Sequence, residues 1–259
     1  MARALRRQGA PVALVPVEQL LLAPVFEHDP SGPSRIVLGS GLELVDASIG
    51  LLFCRIRGID PPQFRRAAEA DRLYAQEEFY ALILSWLAGL GERVVNRPQP
   101  ASLHGMRCGR LEELLRSARS TGRVHGFAAA SEARRLPPGE GPVVAGPADA
   151  GRPAAGGIPA SVLAGGPAMR LPPVPERGRW QVTVVGERVL GAEPPAEARS
   201  LALRLALERG LSFASIELLQ LAAGGFGHGM IDPLPPLERR EEVEAVADHL
   251  LRMAFGGVA

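Results

Sequence analysis

The sequence contains no lysine; all 29 of its basic residues are arginine. That absence removes a tier of chemistry: there is no amine for a Schiff base, no amine general base, and no phosphate-gripping P-loop lysine. Cysteine is nearly absent too. Cys54 and Cys108 are too few for a disulfide framework or, by themselves, a structural zinc site. Cys54 sits in the apolar run from Leu51 to Ile56 and reads as a buried core thiol. Aromatic residues make up 5%, which is too sparse for the stacking surface of a single-strand nucleic-acid binder. A net charge of +1 generates no field to draw in nucleic acid or anionic membrane. No apolar run reaches membrane-spanning length. The stretch after Arg3, Arg6 and Arg7 is broken by Pro11, Pro16 and Glu18 and carries no small-residue cleavage pattern, so no signal peptide is expected. Together these absences predict a soluble, cytoplasmic protein.

What is present is ordinary globular material. Of 259 residues, 46% are hydrophobic and 22% charged, enough for one large domain or two to three small ones with real cores. Pro11–Val15, Arg35–Leu38, Leu42–Val45 and Leu51–Ile56 read as short strands, the later ones punctuated by Gly39, Gly41, Gly50 and Gly58. Phe79, Ile83, Trp86 and Leu90 then recur at helical spacing, predicting a helix over about 62–88 that stops at Gly89 and Gly91. Arg93–Val95 reads as a buried strand, so this order predicts a small parallel-sheet unit. A second helix is expected at about 108–120.

Composition changes from Leu136 to Gly178, where 19 of 43 residues are Pro or Gly. Prolines cannot donate to a sheet ladder, so this segment is expected to be irregular, with short strands only at Val143-Val144 and Ser161–Leu163. Regular structure resumes at Gln181–Val185 and Arg188–Leu190, which flank Gly186-Glu187 as a two-residue type II′ hairpin. A helix over about 195–209 closes at Gly210, a strand runs from Phe213 to Leu219, and a last helix covers about 238–254. No internal repeat is present.

Motifs with chemical potential are few. The glycines from Gly224 to Gly229 follow a strand but lead into an extended segment, so they predict a hairpin loop rather than a phosphate cradle. His228 with Asp232, and His104 with Cys108, stand four apart and could supply two metal ligands each, but nothing in the sequence supplies the rest of a tetrahedral set. Glu27-His28-Asp29 reads as a solvated turn, and Glu238 to Glu244 as the acidic first turns of a helix. The absence of a Gly-x-Ser-x-Gly elbow leaves serine hydrolysis unsupported.

Taken in order, several segments resemble the ATP-grasp proteins, and among these the ligases that modify ribosomally made peptides. They are Leu51–Arg57, the long helix, Asn96-Arg97-Pro98, Trp180–Val189, Ala196–Leu207, Leu211–Glu217 and Met230-Ile-Asp-Pro233. The resemblance covers about half to two-thirds of the chain. It implies an α/β (α+β) fold with an N-terminal pre-ATP-grasp-like unit (1–98), a reduced central region in place of the nucleotide lid (99–178, Pro/Gly-rich from 136), and a C-terminal antiparallel sheet with helices (179–259). It also implies a reaction that activates a carboxylate as an acyl phosphate, which an amine then attacks. That needs cations on the phosphates and acidic ligands for magnesium.

This chain departs from the pattern at those positions. Gly146 stands where the family's ATP-binding lysine is expected, Gln181 where the hairpin's leading arginine is expected, and Met230 where a magnesium glutamate is expected. Glu217 and Asp232 remain as weak cation candidates, since a thioether is a poor magnesium ligand. The expectation is a protein without catalytic residues, metal or cofactor that binds a peptide or protein, as a homodimer or with an active ATP-grasp enzyme. Two alternatives stay open. One is an active ATP- and magnesium-dependent carboxylate–amine ligase using Arg152, Arg170 and Arg179 on the phosphates; the other is an unrelated α/β structural or assembly protein.

Overall fold

The computed structural model describes residues 1–100, 102–106, 128–130, 143–145, 168–170, 176–222 and 224–256. The expected helix at 108–120, the strand at Ser161–Leu163, and Cys108, Gly146 and Arg152 lie outside them.

The N-terminal third begins with two short helices, α1 (Ala2–Arg7) and α2 (Val17–Leu21). Strands β1 (Val25–Glu27), β2 (Arg35–Val37) and β3 (Glu43–Val45) follow. They form an antiparallel sheet in sequence order, with Phe26 opposite Ile36 and Ile36 opposite Leu44. Among the described residues the parallel sheet expected here is reduced to one parallel bridge, Leu52 to Val94. Pro11–Val15 is not a strand, because Pro11 and Pro16 remove ladder donors at both ends. Helix α3 (Glu69–Gly89) starts later than its periodicity suggested, after a 3-10 turn at Pro62–Phe64.

The inner stripe of α3 is the predicted one: Ile83, Trp86 and Leu87 are buried with Leu90 against Leu20, Leu21, Ile36, Leu38 and Cys54. Burying each such side chain contributes roughly 1.5–3 kcal/mol. Asp46 organises the polar side of this core. Its carboxylate accepts the Trp86 indole N–H at 3.0 Å and the Ser34 amide at 2.9 Å, while Arg93 donates to its backbone carbonyl. Burial pushes this carboxyl up, but those hydrogen bonds and the Arg93 charge outweigh it and hold it below the usual range.

Next among the described residues come β4 (Ala128–Ala130), β5 (Val143–Ala145) and β6 (Ala168–Arg170), which pair as a second antiparallel sheet with β6 in the middle. The expected strand at Val143-Val144 is therefore present.

The C-terminal unit is a four-stranded antiparallel sheet of β7 (Glu176–Val185), β8 (Arg188–Gly191), β9 (Phe213–Leu221) and β10 (Phe226–Asp232), in the order β10-β9-β7-β8. Gly186 takes φ +57 between β7 and β8, and Glu187 is not left-handed, which is the type II′ pattern read from the sequence. Helix α4 (Ala196–Glu208) covers one face. Ala198, Leu201, Ala202, Leu205 and Ala206 meet Val182, Val184, Ala214, Ile216 and Leu218. Gly210 ends α4 at φ +62: its N–H reaches the Leu207 carbonyl, and the Leu211 N–H reaches that of Ala206, a Schellman closure.

The opposite face is shared. Helix α5 (Arg240–Phe255) packs Ala245, Val246 and Leu250 against Val185, Leu190 and Phe213, joined by Val95 from the N-terminal unit. Glu242 fixes the register: it accepts Thr183 Oγ1 at 3.0 Å from β7 and closes the start of α5 with Arg239. Among the described residues no helix is long and apolar enough to cross a membrane.

Candidate functional site

Strand alternation decides which residues share the face away from α4. Cross-strand pairing sets Gln181 opposite Glu217, Thr183 opposite Ser215, Val185 opposite Phe213, and Asp232 opposite Ser215. Arg179, Gln181, Glu217 and Asp232 are therefore brought to one face. His228 pairs with Leu218 instead, whose side faces α4, so His228 and Asp232 point to opposite sides and cannot share a metal. Their four-residue spacing spans a bulge. Gly229 and Met230 together stand opposite the single residue Glu217.

Glu217 fills that bulge. Its Oε2 accepts the Met230 amide at 3.1 Å, and its Oε1 receives Arg179 Nη1 at 2.5 Å. The carboxylate lies directly over Gly229, where a Cβ would meet it at 1.8 Å. Gln181 donates its side-chain amide to Ser215 Oγ, and Ser215 Oγ donates to the Val182 carbonyl at 3.3 Å. Asp232 Oδ1 accepts the Leu234 amide at 2.9 Å, the Asx turn expected of Asp-Pro. Met230 presents an exposed thioether.

These residues suit magnesium poorly. Glu217 has both oxygens engaged within the fold, Asp232 holds a turn, and Met230 brings sulfur to a place where a hard cation needs oxygen. Among the described residues no cluster of three or more His, Cys, Asp or Glu side chains could hold a metal ion. Gly146 lies outside the described residues, as do Arg152 and the side chain of Arg170. The pair of His104 with Cys108 is described only on the histidine side.

Two residues of this region were not singled out by their chemistry in the sequence. Arg55 belongs to the run Leu51–Ile56, and its guanidinium stacks over Phe53 at 5.6 Å and Phe213 at 5.9 Å. Period-two alternation was the available signal, since it sets Leu51, Phe53 and Arg55 on one side. Asn96 is the other. At φ +56 it donates Nδ2 to the carbonyls of Phe213 (2.6 Å) and Pro233 (3.3 Å), and its Oδ1 accepts the amides of Ser212 (2.9 Å) and Phe213 (3.2 Å). One side chain thus ties the N-terminal unit to both ends of the β9–β10 hairpin. His28 corrects an expectation as well. It is half-buried and clasps Ser34 Oγ at 2.8 Å and Ser85 Oγ at 2.7 Å, rather than sitting in a solvated turn.

No family model matches the chain, and no curated protein matches it either. Solved structures do. The macrocyclase MdnC bound with precursor peptide MdnA, from Microcystis aeruginosa MRC, superposes with a TM-score of 0.70 at 13% identity, covering 96% of this chain and 94% of that one. The Chryseobacterium gregarium RiPP-associated ATP-grasp ligase, in complex with ADP and a leader and core peptide, gives 0.66 at 12% identity over 96% and 90%. The ATP-grasp ligase PsnB complexed with minimal precursor gives 0.63 at 15% identity over 97% and 93%. An unrelated α/β architecture is thereby set aside. The chain has the ATP-grasp-like fold of the ligases associated with ribosomal peptide modification.

Proposed function

We propose that this protein is a non-catalytic member of the ATP-grasp-like fold that binds a peptide or protein partner in peptide modification. The observation that carries the reading is the internal satisfaction of the Glu217 carboxylate by Arg179 and the Met230 amide, on the face where the resemblance expects magnesium and phosphate ligands. Gln181 is likewise spent on Ser215. Turnover would need charge-stabilising groups worth several kcal/mol each at the transferring phosphate, and the substitutions fall on those positions. Under this reading no ATP or magnesium is bound, and residues 1–98, 99–178 and 179–259 act as scaffold units. Support for a peptide partner comes from the similar structures, all three of which are complexes with a precursor or with leader and core peptides. The partner protein would be a second copy or an active ATP-grasp enzyme.

Calorimetry with ATP and magnesium is the direct test, beside native mass measurement with and without a precursor-type peptide. The reading expects no nucleotide heat and a mass increment from peptide or protein. A second reading, an active carboxylate–amine ligase, is favoured by one feature: Arg179, although paired with Glu217, keeps its side chain 58% exposed on the site face. Saturable heat with ATP and magnesium would establish that reading and overturn the first.

A further inference from the structure

Away from the candidate site, the first hairpin and α3 bring a histidine between two serines. Glu27 opposite Arg35 is the last pair of β1 and β2, so His28 and Ser34 face each other across the mouth of the loop. His28 Nδ1 meets Ser34 Oγ at 2.8 Å, and Nε2 meets Ser85 Oγ at 2.7 Å, in the last turns of α3. Asp46 holds both sides of this chain. Its Oδ2 accepts the Ser34 amide, and its Oδ1 accepts the indole of Trp86, the residue after Ser85. Phe26 braces the hairpin edge to face on the same indole at 6.1 Å. The direction of the bonds follows from what each atom can do. An ionised carboxylate only accepts, and the Ser34 hydroxyl donates to Asp46. Ser34 Oγ therefore accepts from His28 Nδ1–H, which leaves Nε2 bare. The Ser85 hydroxyl has no other acceptor among the described residues, so its proton points at Nε2. Ser34 is buried, whereas His28 and Ser85 are only partly so.

We propose that Ser85 is a nucleophile that accepts an acyl group from a small activated carboxylic ester, with His28 as its general base and Ser34 and Asp46 as positioning residues. The arrangement is that of a serine beside a base whose far nitrogen is oriented by a further group. Ser85 Oγ attacks the ester carbonyl while its proton passes to His28 Nε2. The bond from the carbonyl carbon to the leaving group then breaks. That group departs with the proton from Nε2, and the acyl group stays as an ester on Ser85. The setting also limits the donor. Amides beside Ser85 are spent on the α3 ladder and hold no oxyanion, so the leaving group itself must be a good one. A partly buried hydroxyl favours a short acyl chain. Because the serine stands on a helix and not at a strand–helix elbow, no elbow motif marks it. The inference is independent of the peptide-binding reading, since it concerns a different part of the fold.

The test treats the intact protein with p-nitrophenyl acetate at mildly alkaline pH and maps the acetyl group by fragment mass. With no lysine in the chain, amine acetylation is confined to the N-terminus. A burst of p-nitrophenolate is expected, with the acetyl group on Ser85. Ser85→Ala should abolish the burst, and His28→Gln should slow it about a hundredfold. Nitrogen resonances of the wild-type imidazole report the positioning by Ser34 and Asp46, and should show His28 protonated on Nδ1. An acetyl group absent from Ser85 would leave the chain of bonds as a tether alone and overturn the proposal. A proton found on Nε2, or acetylation undiminished in His28→Gln, overturns it equally. If the variants do not fold, the mapped adduct and the wild-type tautomer decide.

Discussion

Glu217 reaches across the bulge in β10 and lies over Gly229, so closely that only a residue without a side chain fits beneath it. Gly229→Ala is therefore expected to push the carboxylate off the Met230 amide. Losing a hydrogen bond to a charged acceptor at a half-exposed site should cost about 1–2 kcal/mol. Urea denaturation checks this: a lowered midpoint with unchanged slope is expected, and an unchanged midpoint would mean the contact does not hold the bulge.

Met230→Glu is expected not to restore nucleotide binding. It sets a second carboxylate beside Glu217 while Gln181 remains committed to Ser215. Like-charge crowding should lower stability by about 0.5–1 kcal/mol. Thermal melting with and without ATP and magnesium should give the same midpoint; a nucleotide-dependent rise would show that one acidic ligand suffices.

Asn96→Ala is expected to cost about 3 kcal/mol, since it strands backbone groups of Ser212, Phe213 and Pro233 and leaves a methyl side chain at φ +56. Asn96→Gly keeps the loss of bonds but relieves the backbone, and should recover about 1 kcal/mol. Equal stabilities of the two variants would show that the left-handed geometry carries no cost there.

Stability is expected to fall in acid, and Glu242 is one named cause. Burial pushes its carboxyl up, but bonds from Arg239 and Thr183 outweigh this and leave it depressed. A depressed carboxyl contributes stability that is full above its unfolded pKa and is lost as pH falls through the folded one. Burial, with Arg252 adding to it, also depresses His249, whose contribution starts to fade at a higher pH, once the unfolded histidine takes up its proton. Glu242→Gln should flatten the acid limb of a stability–pH curve while leaving the decline near the histidine range.

The sequence made the C-terminal unit legible because its signals are local. The Gly186-Glu187 turn, the Gly210 helix stop and the stripe of α4 each lie within a few residues of the structure they set. The glycine run at Gly224 was rightly read as part of a hairpin, but the bulge at Gly229-Met230 was not, since it depends on register with Glu217 on another strand. The N-terminal sheet was misread for a similar reason. Leu51–Ile56 has strand composition, yet among the described residues it finds a backbone partner only at Leu52, so short apolar runs did not reveal how they would pair. Arg55 was hidden because its rings come from positions 53 and 213, which no local pattern joins.

The Asn96 clasp has a consequence for biosynthesis. Its partners sit 116, 117 and 137 residues downstream. As the nascent chain leaves the ribosome, this side chain stays unsatisfied until the stretch around Pro233 has been made. The leading third can therefore collapse early but cannot lock, and the slow event in maturation should be this late, long-range closure.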